Sequence, residues 1–231
     1  MNDQMFTLVP YFILTVWVLL LAGIVFAVVS NWRRGKKIAA DARRRGWRYT
    51  KNGKRALARY PETHPFPLSF GCRVRHLVEF THDGFEVESF EYSYSEGGKN
   101  SRRVYVHATS ITIPHRAPFL QIRPERRFDT VRKAFGARDT QFESERFNEE
   151  WLVRGDEEEF THGVVHPRMM SWLMEHPGRN FTLSADLLFG YAFQPFDPGE
   201  IVPRAELLIA FYRNIPGFVW QQAPARERQR Q

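Results

Sequence analysis

The sequence predicts an α+β protein: one N-terminal transmembrane helix, then a mainly antiparallel sheet domain with a C-terminal packing helix. Three observations carry that reading. No charged residue occurs between Asp3 and Arg33. From Gly71 onward, runs rich in β-branched and aromatic residues alternate with turn residues. After those runs, strand patterns mix with helical spacing, which is the order expected of an α+β domain.

The first element is YFILTVWVLLLAGIVFAVVS, beginning at Tyr11. About 20 apolar residues at ~1.5 Å each match the ~30 Å hydrocarbon thickness of a bilayer. A core helix would show a polar stripe, but Thr15 is the only polar interruption before Ser30. A cleavable signal would open with Lys or Arg, and this chain opens with MNDQM. Pro10 suits a first helical turn. Tyr11 and Trp32 stand at the two ends, where amphipathic rings favour the headgroup level. Gly23 and Ala27 form a small-residue pair of the kind that lets two spans approach.

Arg33, Arg34, Lys36, Lys37, Arg43, Arg44 and Arg45 follow the apolar run. Positive flanks stay inside, so the expected location is the cell membrane, single-pass, N-terminus outside and C-terminal domain cytoplasmic. Cys72 is the one cysteine, so no internal disulfide can form. The expected organisation is a short external tail (1–8), a span (9–31), a basic juxtamembrane connector (32–67), a cytoplasmic α+β domain (68–222) and a disordered tail (223–231).

The net charge of +7 is unevenly placed. Residues 32–60 carry +11 and the tail from Ala223 carries +2, whereas residues 61–222 sum to −5. A phosphate-binding domain needs clustered positive charge on the domain itself, so nucleic acid is not an expected partner. The basic cluster fits a membrane surface, where each cation gains about 1 kcal/mol beside an anionic leaflet. On a straight helix Arg43 to Arg45 would lie roughly 15–18 Å out, past the ~8 Å Debye length, unless that segment lies flat.

Within the domain, RVRHLVEF, THDG and FEVESFEYSYSE predict a hairpin turned by Asp83-Gly84. Phe85 and Val87 share one parity, and Phe90, Tyr92 and Tyr94 the other. Either a bulge sits near Ser89 or both faces are covered. EGGKNS is read as a turn, RRVYVHATSITIP as a third strand and PFLQIRP as a fourth. Phe128–Phe135 is read as a short helix ended by Gly136, and FNEEWLVRG as a strand. HPRMMSWLMEHPG reads as a helix with Pro167 in its first turn. NFTLSA and LLFGYAF read as two strands around a tight turn near Asp186. PRAELLIAFYRNIP places Leu207, Leu208, Phe211 and Ile215 on one face of a closing helix.

Catalytic signatures are lacking: there is no G-x-S-x-G elbow and no Walker spacing. Cys72 is read as a buried structural thiol. His162 and His166, four apart and just after Asp156 to Glu159, are the candidate metal ligands. Pro167 directly after His166 separates the pair, so His166 is read as a cap and the acids as a helix start. Tyr92, Tyr94, Arg102 and Arg103 gather at one hairpin and read as cross-strand packing, or as a site for a phosphorylated headgroup or a partner strand. Met169, Met170, Trp172, Leu173 and Met174 read as a core-facing helix stripe or as an adaptable groove.

Taken together, Gly46-Trp47, the PF-to-Gly71 segment, FEYSY, ITIP with PFLQIRPE, FESERFNEEWLV, HPRMMSWLM and NIPGFVW resemble a group of actinobacterial single-pass membrane proteins of the domain-of-unknown-function kind. The resemblance covers most of the chain after Gly46 and implies a bacterial cell membrane and an anchor-plus-domain layout. It implies no activity, cofactor or catalytic residue. The expected function is a membrane-anchored cytoplasmic binding or scaffolding module, non-enzymatic and without cofactor. Its expected partners are the lipid bilayer, anionic headgroups and a protein of an envelope complex. The alternatives are a membrane-bound hydrolase or metal-dependent enzyme using His162, His166 and the nearby acids, and a structural subunit of an envelope complex.

Overall fold

A computed structural model of the protein describes residues 3–61, 65–66, 71–96, 102–125 and 140–222, with side chains in the first helix from residue 14 except 27, 28 and 31. The chain divides into two compact units, Met1–Arg45 and Gly46–Gln231. The first is one helix, α1 (Asp3–Arg44, 42 residues), with no break between the apolar run and the basic stretch.

The second unit is a six-stranded antiparallel sheet with helices. Strands β1 (Arg48–Asn52), β2 (Arg73–His82), β3 (Phe85–Glu96) and β4 (Arg102–Pro124) form a meander. β5 (Trp151–Gly155) and β6 (Phe181–Ala192) both pair with β4. β1 lies inside the stretch expected to be a connector. Its five residues, RYTKN, hide a strand behind charge, and Arg48 is ion-paired to its cross-strand partner Glu79. Short charged strands suit exposed sheet edges.

The hairpin closes as expected. Asp83 and Gly84 have φ of +50° and +86° between the paired His82 and Phe85, the signature of a type I′ turn. The irregularity expected near Ser89 falls across from it. Arg75 pairs with Glu91 and Val78 with Ser89, so β2 holds the extra residue, and His76 takes φ of +56°. β3 itself is buried on both faces from Ser89 to Tyr94.

Three expectations are corrected. The third and fourth strands are one 23-residue strand, β4. Its register against β6 jumps from Thr112 to Ala117 and from there to Leu120. Pro114 and Pro118, which have no N–H to donate, both fall in the skipped positions. The strand is bulged rather than ended. Likewise β6 is one strand, not two. Near Asp186 it passes through Ala185 at φ +52° and continues. FNEEWLVRG, finally, is half helix: α2 (Glu145–Glu150) is started by Ser144, whose side chain accepts from the Phe147 N–H at 3.3 Å, and β5 begins at Trp151.

α3 (Glu158–Val164) carries Glu158 and Glu159 in its first turn, where carboxylates favour the helix dipole. α4 (Pro167–Glu175) begins at Pro167 and α5 (Ile201–Asn214) closes the domain, followed by α6 (Gly217–Gln222). α5 buries Ile201, Ala205, Leu208, Ile209 and Phe211, one helical stripe that includes the expected Leu208 and Phe211. The expected short helix at 128–135, the turn at 97–101 and the tail from 223 lie outside the described residues.

The sheet has a core on each face. Val87, Ile111 and Leu188, aligned across β3, β4 and β6, cluster with Leu208 and Phe211 of α5 and with Met169 and Leu173 of α4. The opposite parity carries Phe90, Tyr92, Ala108 and Phe189, packed with Ala56, Tyr60 and Phe66 from the segment before β2. That second core is aromatic, with Tyr60 meeting Phe66, Phe90 and Phe189 edge-on at 5.2 Å each.

Candidate functional site

In the first unit the chemistry lies along α1. From Leu14 to Phe26 every side chain is exposed, Trp17 at 67% and Phe26 at 75% among them. Among the described residues no helix is long and apolar enough to cross a membrane. The continuous stretch of α1 with described side chains, 14–26, accounts for only about 20 Å of rise. The span expected at 9–31 extends beyond it on both sides, and the side chain of Tyr11 is outside the described residues. Trp32 is exposed, and the Lys36 ammonium sits 3.6 Å from its ring centre, a cation–π pair. Farther along, Asp41 accepts from Arg44 at 3.1 Å and from Arg45 at 3.0 Å. The seven basic residues are therefore not equivalent.

In the second unit the most suggestive constellation is one that sequence patterns miss. On the helix-covered face of the sheet, the apolar row at Val87 gives way to Ser89 beside Thr109 and then Glu91 beside His107, all buried. Ser89 Oγ lies 2.9 Å from His107 Nε2, the geometry of a nucleophile and its base. The proton inventory rules that role out. His107 Nδ1 accepts the Asp197 backbone N–H at 3.4 Å, so the ring's own proton is on Nε2 and points at Ser89. Ser89 donates to the Ala108 carbonyl at 3.1 Å. The base has no lone pair facing the hydroxyl, and both groups are fully buried. Burial, with the nearby Arg204 charge, pushes His107 down to about 3 and keeps it neutral. The row is a structural clasp: Phe196 packs 4.7 Å from the His107 ring, and its N–H is bonded to Glu91 at 3.0 Å.

The opposite face has an open groove of about 300 Å³ near the hairpin end, lined by Arg48, Glu79, Thr81, Glu86 and Glu88. Two of its carboxylates, Glu79 and Glu88, meet arginines. Arg48 and Arg55 reach Glu79, while Arg59 donates to Glu88 at 2.9 Å, to Thr112 at 3.1 Å and to Asp186 at 3.5 Å. Burial pushes the Glu88 carboxyl up, against the opposing pull of Arg59. These pairs staple the 3₁₀ turn Lys54–Arg59 onto the sheet.

The histidines singled out by spacing are separated. His162 is in α3, 3.9 Å from Glu158 and edge-on to Phe142. His166 precedes α4, with Nε2 3.3 Å from the Asn214 carbonyl. Among the described residues no group of three His, Cys, Asp or Glu is arranged to hold a metal ion. Tyr92 and Tyr94 are buried, and Arg103 donates to Gly71 O at 3.0 Å and to Ser93 at 3.1 Å, so that hairpin is cross-strand packing. Met169 and Leu173 are core residues, with Met170, Trp172 and Met174 packed alongside. Cys72 is a free thiol and only half-buried, against the aromatic core.

No family model matches the chain, and no curated protein matches it. Among solved structures, the crystal structure of the mycobacterial trehalose monomycolate transport factor A, TtfA, is similar. It aligns with a TM-score of 0.52 and 10% identity over 79% of this chain and 96% of that one. At that identity the likeness is one of fold.

Proposed function

We propose that this chain is a membrane-anchored binding or scaffolding module: α1 spans the cell membrane with its N-terminus outside, and the sheet domain works on the cytoplasmic side without catalysing a reaction. We propose further that it is one of the actinobacterial single-pass proteins its motifs resemble, acting with a protein partner of an envelope complex. The observation that carries the reading is the run of exposed apolar side chains on α1, continuous with a basic stretch. Water is a poor solvent for that surface, at roughly 25 cal/mol per Å², and patches of such size mark membrane or partner contact. The proton arrangement at Ser89 and His107 supports a non-enzymatic domain. The fold likeness adds that this architecture serves, in at least one mycobacterial protein, as a transport factor.

The test is a topology experiment on the full chain in bacterial cells. The protein is expected to stay with membranes through alkaline carbonate washing, and its sheet domain to resist protease until cells are opened. Release into the wash, or digestion of the domain in intact cells, refutes the reading.

A further inference from the structure

We infer that the basic stretch is two sites in one helix, of which only the first, Arg33, Arg34, Lys36 and Lys37, binds anionic phospholipid headgroups. The inference rests on the proposed span and names the lipid class that meets its inner end.

Two observations divide the cluster. First, α1 runs unbroken to Arg44, so the distal residues cannot fold back flat at a hinge. From Arg33 to Arg44 the helix rises about 16 Å, two Debye lengths at physiological salt, which leaves the distal charges roughly one-seventh of the surface attraction. Direction is not what separates them, since Arg33, Lys37 and Arg44 fall on one helical stripe. Second, Asp41 is ion-paired to both Arg44 and Arg45, removing one of the three distal charges from the balance. The proximal four have no acid among them in sequence. They adjoin the exposed apolar run, and Lys36 lies over the Trp32 ring. An indole carrying an ammonium suits the headgroup layer, apolar on one side and charged on the other.

The test reconstitutes the full chain in phosphatidylcholine vesicles holding a trace of spin-labelled phosphatidylglycerol or spin-labelled phosphatidylcholine. The readout is the fraction of each lipid immobilised by the protein. Wild-type protein is expected to prefer the anionic lipid by about fivefold, the equivalent of one surface charge. R33Q/R34Q/K36Q/K37Q is expected to bring the preference to near one, and R43Q/R44Q/R45Q to leave it unchanged. Equal immobilisation of both lipids by wild-type protein overturns the inference, as does a comparable loss in the distal variant. No immobilised lipid of either kind is a different failure: it removes the span, and this inference with it.

Discussion

The apolar residues of α1 and those of the sheet are the same kinds of side chain in opposite surroundings. Leu20 is 55% and Phe26 75% exposed on the helix, whereas Leu187 and Phe189 of β6 are at 0%. The sheet alternates apolar residues with others and offers two faces, each of which finds a cover within the second unit. The apolar run of α1 has no polar stripe, so no single packing surface could serve all of it. The apolar side chains of one region are covered within its own unit, and those of the other are left exposed.

Breaking the sheet side of this comparison should have the largest effect. Phe90→Ala empties the centre of the aromatic core and is expected to cost about 3–5 kcal/mol in chemical denaturation, with membrane retention unchanged. The mirror experiment is Leu20→Arg. It should weaken insertion by about 3 kcal/mol in an insertion-efficiency assay while leaving the denaturation of the sheet domain as it was. If either variant shifts both readouts, the two regions are not independent of each other.

Smaller changes sharpen the sheet side. Arg59→Ala strands the Glu88 carboxylate under the 3₁₀ turn and should cost about 2 kcal/mol, of which Glu88→Gln in the same chain restores part. His107 gives a pH signature. Its folded pKa, about 3, lies below the ordinary 6.5, so the unfolded chain binds the proton first. Its contribution is therefore complete above about pH 6.5 and declines by up to about 1.4 kcal/mol per pH unit as pH falls toward 3. His107→Gln should flatten that part of the stability profile, and an unchanged slope contradicts the assigned neutral ring. The smallest effect is Gly84→Ala, about 1 kcal/mol, since only the +86° backbone angle is strained.

Much of the architecture was legible because it depends on short-range pattern. Asp83-Gly84, Pro167 and the spacing of Leu208 and Phe211 each announce an element through their own backbone or pattern. The misreadings share a cause. Pro114 and Asp186 look like strand ends, yet a partner strand long enough to absorb a bulge carries β4 and β6 through them. RYTKN looks like connector because nothing local says that Glu79 waits opposite Arg48. The candidate sites divide the same way. The basic stretch is visible in sequence, whereas Ser89 and His107, eighteen positions apart, meet only through strand register.

By itself, then, the sequence determined the apolar helix, the cations after it, the hairpin turn and the helical stripes, because each is a property of consecutive residues. Tertiary structure alone decided which strands continue, that Glu79 meets Arg48, and that a serine beside a histidine is a clasp rather than a nucleophile. Those outcomes turn on which hydrogen-bond donor or charge arrives from elsewhere in the fold, and such arrivals leave no trace in local pattern.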